Sequence, residues 1–133
     1  MSEENVDLVR SVYVGWARGD FSVAAELTAS GFEYRQNPEA VEPGTRRGEA
    51  IGNALRGIFD VYEDFRVEPS EFIDAGDRVL VVSRALGTAK GSGLDLDMDV
   101  FSVWTVTEGK LASNAVFTDR NRALEAAGLS DQP

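Results

Sequence analysis

Acid–base chemistry in this chain must come from Asp, Glu, Tyr or Lys, because none of its 133 residues is histidine or cysteine. Asp119 is the acid best placed for it. If Glu108-Gly109 forms a two-residue turn, the flanking strands pair outward as Val106–Leu111, Trp104–Ser113, Ser102–Ala115, Val100–Phe117 and Met98–Asp119. A carboxylate among Met98, Val100 and Phe117 is held above its ordinary pKa and can take or give a proton. A structural role is also open to it. Asp immediately before a helix is a preferred N-cap, and backbone N–H donors would lower its pKa instead. Arg84 is a charge in an otherwise apolar stretch. It could hold a ligand carbonyl or carboxylate, or sit salt-bridged on the outer face of a sheet. Around these residues, Tyr13, Trp16, Tyr34, Phe59, Tyr62, Val100, Ser102, Trp104 and Phe117 are the expected lining of an apolar pocket with a few polar points. A one-residue bulge in the hairpin would exchange its two faces.

Other chemistries drop out. Serine–histidine triads, thiolate nucleophiles, disulfides and His- or Cys-based metal sites have no residues to build them. Asp95, Asp97 and Asp99 alternate as strand residues do. A calcium loop would need glycine where Val100 stands and glutamate where Val106 stands, so a solvated strand face is expected, with no metal and no cofactor. Arg18-Gly19-Asp20 has the letters of an integrin-binding tripeptide, but Gly19 stands where one helix stops and Asp20 where the next starts. Acids outnumber bases 23 to 13, for a net charge of −10. Such a surface repels a phosphate backbone, so neither nucleic acid nor an anionic membrane is an expected partner. The opening Ser2-Glu3-Glu4 is unlike a signal peptide, and no apolar run is long enough to span a bilayer; a cytoplasmic location is the expectation.

The elements that must position these residues follow from periodicity. With 43% hydrophobic residues the chain can bury one core, so residues 1–133 read as a single domain. Val6, Val9, Val12, Tyr13, Trp16 and Ala17 repeat at helical spacing after Ser2, with Glu3 and Glu4 in the first turn. A shorter helix follows through Phe21, Ala24, Ala25 and Leu27, then a short strand from Phe32 to Arg35. A loop with Pro38, Pro43 and Gly44 leads to a third helix with the stripe Ile51, Leu55, Ile58, Phe59 and Tyr62. From there the period is two. Strands are expected over Phe65–Asp74, edge-located or bulged at Pro69, then Arg78–Ala89, Leu94–Thr107 and Lys110–Thr118. A last helix covers Arg120–Ala127 and stops at Gly128. The order predicts an α+β fold with helices on one face of an antiparallel meander. Phe101, Val103, Ala112 and Val116 then share the convex face, an apolar patch that predicts a homodimer.

The chain resembles the SnoaL-like branch of the nuclear-transport-factor-two-like superfamily over nearly its whole length. The residues that carry the resemblance are Arg18-Gly19-Asp20, Phe32-Glu33-Tyr34, Arg47-Gly48-Glu49-Ala50-Ile51, Asp74-Ala75-Gly76-Asp77-Arg78-Val79 and Val103-Trp104-Thr105. Gly109-Lys110-Leu111, Phe117-Thr118-Asp119-Arg120 and Ala123-Leu124-Glu125-Ala126-Ala127-Gly128-Leu129 are the most specific. The resemblance implies a cone-shaped, cystatin-like α+β barrel: a curved antiparallel sheet with N-terminal helices packed on its concave face. It implies little about activity, because this fold serves enzymes and non-enzymes alike. Ketosteroid isomerases of the superfamily use a first-helix tyrosine where Val12 aligns, with Tyr13 one residue away, and an acid near Tyr34 or Arg35. Scytalone-dehydratase-like chemistry needs histidines. SnoaL-type cyclases carry an aspartate that matches Asp119. The expected function is a pocket protein binding a small apolar molecule, with no reaction assignable. The alternative is a cofactor-independent cyclase, isomerase or hydrolase acting on a small hydrophobic carbonyl compound, with Asp119 as acid or base.

Overall fold

Valines, a tyrosine and a tryptophan placed every third or fourth residue give the N-terminal segment one apolar side, and it folds as helix α1 (Ser2–Ala17) with Glu3 and Glu4 in its first turn. The computed structural model describes residues 2–18, 26–36, 44–47 and 60–129. Gly19, Asp20, most of the expected second helix and the expected third helix, with Phe59, lie outside them. Six strands follow α1: β1 (Thr28–Gln36), β2 (Gly44–Arg47), β3 (Tyr62–Ala75), β4 (Arg78–Ala89), β5 (Asp95–Thr107) and β6 (Lys110–Phe117); helix α2 (Arg120–Ala126) closes the series. They form one sheet in the order β2-β1-β6-β5-β4-β3.

The expected meander is present, since β3 to β6 pair antiparallel in sequence order. The first strand is longer than expected, and it joins the sheet parallel to β6, which makes the sheet mixed. Gly44, expected in a loop, opens β2, which pairs antiparallel with β1. Tyr62, expected on a helix, is the first residue of β3. Glu108 and Gly109 have φ of 52° and 76°, so both turn residues take the left-handed conformation that a tight hairpin requires. Pro69 lies on the edge strand, and the next residue, Ser70, is bulged out of register, with its hydroxyl donating to the Val82 carbonyl at 3.1 Å.

Val79–Val82 of β4 and the facing C-terminal half of β5 are largely apolar on both faces because both faces are covered there. On the concave face, Val79, Val81, Trp104, Val106 and Leu111 pack against Val9, Val12 and Tyr13 of α1. The convex face is covered by the chain itself: Leu80, Phe101 and Val103 pack against Ala123 and Ala127 of the α2 segment. Phe101 is 6% exposed and Val103 is 3% exposed, so the patch from which a homodimer was expected is not open as such.

Register on β6 differs from the simple hairpin. Val106 pairs with Leu111 as expected, but Thr105 pairs with Ser113, leaving Ala112 as an extra residue. Beyond that bulge every partner moves by one: Trp104 faces Asn114, Ser102 faces Val116 and Phe101 faces Phe117. Because side chains alternate, this one residue moves Asn114 and Val116 to the concave face and Ala115 and Phe117 to the convex one.

Candidate functional site

Three polar side chains interrupt the apolar concave face, one on each of three neighbouring strands. Asn114 of β6 pairs with Trp104 of β5; two residues back along β5 is Ser102, which pairs with Val81 of β4; two residues on along β4 is Ser83. They form a diagonal across the sheet, and all three are buried. Tyr34 of β1 extends it, pairing with Asn114 on the far side. Helix α1 supplies the cover. The Tyr13 hydroxyl accepts a hydrogen bond from Trp104 Nε1 at 3.1 Å, and its ring meets those of Trp16, Phe72 and Trp104 edge-on.

Burial pushes the Tyr13 phenol up to about 12, although the Trp104 indole N–H and the neighbouring Ser102 and Ser83 hydroxyls pull it back in part. It is therefore a neutral hydroxyl at ordinary pH, able to donate a hydrogen bond and unable to serve as a base. Ser83 Oγ and Asn114 Oδ1 are buried with no hydrogen-bond partner of ordinary geometry. Among the described residues no carboxylate is buried on this wall; Asp74, which pairs with Val79 on the edge strand, is exposed, and the register sets Arg46 of β2 opposite Tyr34.

Of the residues expected to line a pocket, Tyr13, Trp16, Tyr34, Val100, Ser102 and Trp104 are brought to this side of the sheet. Tyr62 is half-buried at the start of β3, its ring tilted against Phe65. Phe59 lies outside the described residues. Three expectations are corrected. Phe117 packs on the convex face with Leu80 and Phe101, because the Ala112 bulge reverses its side. Arg84 shares the parity of Leu80 and Val82, faces outward and binds Asp97 through Nε at 3.0 Å and Nη2 at 2.6 Å. Asp119 is not opposite Met98, since the β5–β6 ladder ends at Phe101–Phe117. Its side chain is 47% exposed, accepts from the Asn121 backbone N–H at 3.1 Å and caps α2, with Arg122 at 3.8 Å.

Ser83 and Asn114 were missed in the sequence. A signal existed for Asn114, because Asn is disfavoured in strands and here follows Leu111-Ala112-Ser113 and precedes Ala115-Val116-Phe117. Asp95, Asp97 and Asp99 lie on the outer face as expected, and no cluster of potential metal ligands is present among the described residues. No helix among them is long and apolar enough to cross a membrane. A groove of about 330 Å³ runs along the exposed side of α1 past Asp7, Arg10, Ser11, Val14 and Arg18; it is separate from the concave wall.

Known structures share this architecture. An NTF2-like protein from Burkholderia thailandensis superposes with a TM-score of 0.80 at 27% identity, over 96% of this chain and 97% of its own. An NTF2-like protein from Burkholderia xenovorans gives 0.73 at 29% identity, covering 96% and 97%. A cystatin-like protein of unknown function from Xanthomonas campestris gives 0.73 at 20%, covering 92% and 95%, a likeness of fold. No curated protein matches the chain in sequence. The SnoaL-like domain model matches residues 9–114, and the chain belongs to that family.

Proposed function

We propose that this chain binds a small, largely apolar molecule between α1 and the concave face of its sheet, without transforming it. The observation that supports this reading is the composition of the wall. Its aromatic and aliphatic side chains are interrupted by hydroxyl and amide groups that fix orientation, and the carboxylate needed for carbonyl chemistry lies elsewhere, capping α2. A neutral phenol with a pKa near 12 can polarise a carbonyl but cannot pull a proton from its neighbour, so the cyclase, isomerase or hydrolase reading finds no buried carboxylate to act as base among the described residues.

The two tryptophans of the chain provide the test, since Trp104 is on the wall and Trp16 lies 6.2 Å from it. Titration with an apolar fluorescence quencher such as anilinonaphthalene dye should change tryptophan emission saturably, and Trp104→Phe should weaken the effect. Linear, non-saturating quenching would end the binding proposal.

Two-fold pairing stays in the proposal but on different residues. Val82, Phe101 and Phe117 form one row across the convex face, and Ile73 and Ala115 flank it. Helix α2 leaves Val82, Phe117 and Ile73 half-buried, so this remainder of the face is where a second copy would seat.

A further inference from the structure

Two buried polar atoms without partners, on one face of one sheet, need a reason. Removing such an atom from water without replacing its hydrogen bond is unfavourable, and folded proteins leave few of them. Ser83 Oγ and Asn114 Oδ1 are both in this state, with their residues 1% and 3% exposed. They are not scattered. They are the two ends of the diagonal whose middle is Ser102, and the Tyr13 hydroxyl, bonded to Trp104, lies near Ser102 and Ser83 without pairing with Ser83 Oγ in ordinary geometry. A flat sheet would set their Cα atoms roughly 16 Å apart, two strands across and two side-chain rows along, and curvature toward α1 shortens the gap between the side chains. We propose that Ser83 and Asn114 are specificity-determining ligand contacts, and that the ligand is an uncharged, elongated molecule with a hydrogen-bonding group at each end. This rests on the binding reading above and narrows it to one class of ligand.

Charge decides the class. Ser83, Ser102 and Asn114 are the buried polar side chains of the wall among the described residues, and none is charged, so neither an anionic nor a cationic ligand group would meet a buried counter-charge beside them; Asp74, which pairs with Val79 at the edge strand, is exposed. A ligand charge would be desolvated there without compensation, which costs far more than a hydrogen bond returns. A hydroxyl, by contrast, can donate to Asn114 Oδ1 and can either donate to or accept from Ser83. Arg84, Asp97 and Asp99, close to Ser83 on β4 and β5, point out of the opposite face and leave this balance unchanged.

Three two-ring probes of equal shape make the test: dihydroxynaphthalene with its hydroxyls at opposite ends, naphthalene dicarboxylate with the same substitution, and naphthalene itself. Binding is read by calorimetry on the wild type, Ser83→Ala and Asn114→Leu, and stability by thermal melting without ligand. The diol should bind at least tenfold more tightly than the dicarboxylate. Each substitution should weaken the diol about three- to tenfold and leave naphthalene unchanged or tighter. Each variant should also melt higher than the wild type, by a few degrees, because an unpaired buried polar atom is gone. Ser83→Ala removes a single oxygen and keeps the test available should Asn114→Leu fail to fold. If all three probes bind alike and the variants change nothing, binding stands and the specificity assignment falls. If the variants melt lower with diol affinity intact, the two groups are satisfied by internal water and the assignment falls as well. If no probe binds the wild type, the binding reading itself falls, and this inference with it.

Discussion

Replacing Tyr13 by phenylalanine removes one oxygen from the centre of the molecule and should change stability in a pH-dependent way. At neutral pH the loss is the hydrogen bond from Trp104 Nε1, leaving a buried indole N–H unpaired next to a residue only 4% exposed. Such an orphan donor costs about 1–3 kcal/mol. For a 133-residue chain that is a fall in Tm of roughly 4–10 °C. Alkaline pH acts on the wild type alone. A phenol whose folded pKa is raised to about 12, from an ordinary 10, binds more protons folded than unfolded between those values. The stability attached to that shift is fully present below pH 10 and is lost as pH rises through 12. For a two-unit shift the linkage integral gives a loss of about 1.4 kcal/mol by pH 11 and roughly 2.3 kcal/mol by pH 12. The phenylalanine variant has nothing to lose at this position. The two melting curves, well apart at pH 7, should therefore converge between pH 11 and 12. Circular dichroism melts of both proteins at pH 7, 9, 10, 11 and 12 suffice, because all other titrating groups cancel in the difference. A gap that stays constant to pH 12 would refute the reasoning, for it would mean that the phenol titrates as in water.

Two further substitutions bear on the other assignments. Asp119→Ala should lower stability by about 1 kcal/mol through loss of the α2 cap, whereas Asp119→Asn, an equally good cap, should melt within about a degree or two of the wild type. A markedly higher-melting Asn variant would mean the native carboxylate is desolvated at a cost, and would restore it as a functional acid. Val82→Lys on the convex face should give a monomer mass by light scattering at micromolar concentration while diol binding stays as in the wild type; a wild type that is already monomeric would end the proposal of pairing.

Much of the architecture was legible because local rules and global packing agree. Val9, Val12 and Tyr13 mark the buried side of α1, and Glu108-Gly109 could only be a tight turn. On β5 the even residues Ser102, Trp104 and Val106 and the odd Phe101 and Val103 went to the faces that alternation assigns. The concave members of the site on α1 and β5 followed from that. What failed lies in long-range pairing. Nothing in Thr28–Gln36 announces that its neighbour is β6 or that the pairing is parallel, since the partner lies some eighty residues away. Val79-Leu80-Val81-Val82 is apolar throughout, so parity on β4 is hidden and Ser83 and Arg84 carry the only clue to which side is which. Ala112 and Ser113 are small and neutral, with no glycine or proline to signal an extra residue, and so Phe117 and Asp119 were placed one step out of phase.

The Ala112 bulge also governs how this chain is compared with its relatives. A column-by-column alignment treats β6 as a simple string, in which one residue more or less before Ser113 is a minor gap. In space that gap is a change of parity. A homologue with the same turn but no bulge presents the neighbour of each matched residue to the concave side, so identical letters at the positions of Ser113, Asn114 and Ala115 would stand on opposite walls. The set of side chains on the concave face can therefore change by a single insertion, with every substituted position left untouched, and conservation at Asn114 has meaning only among chains that share the bulge.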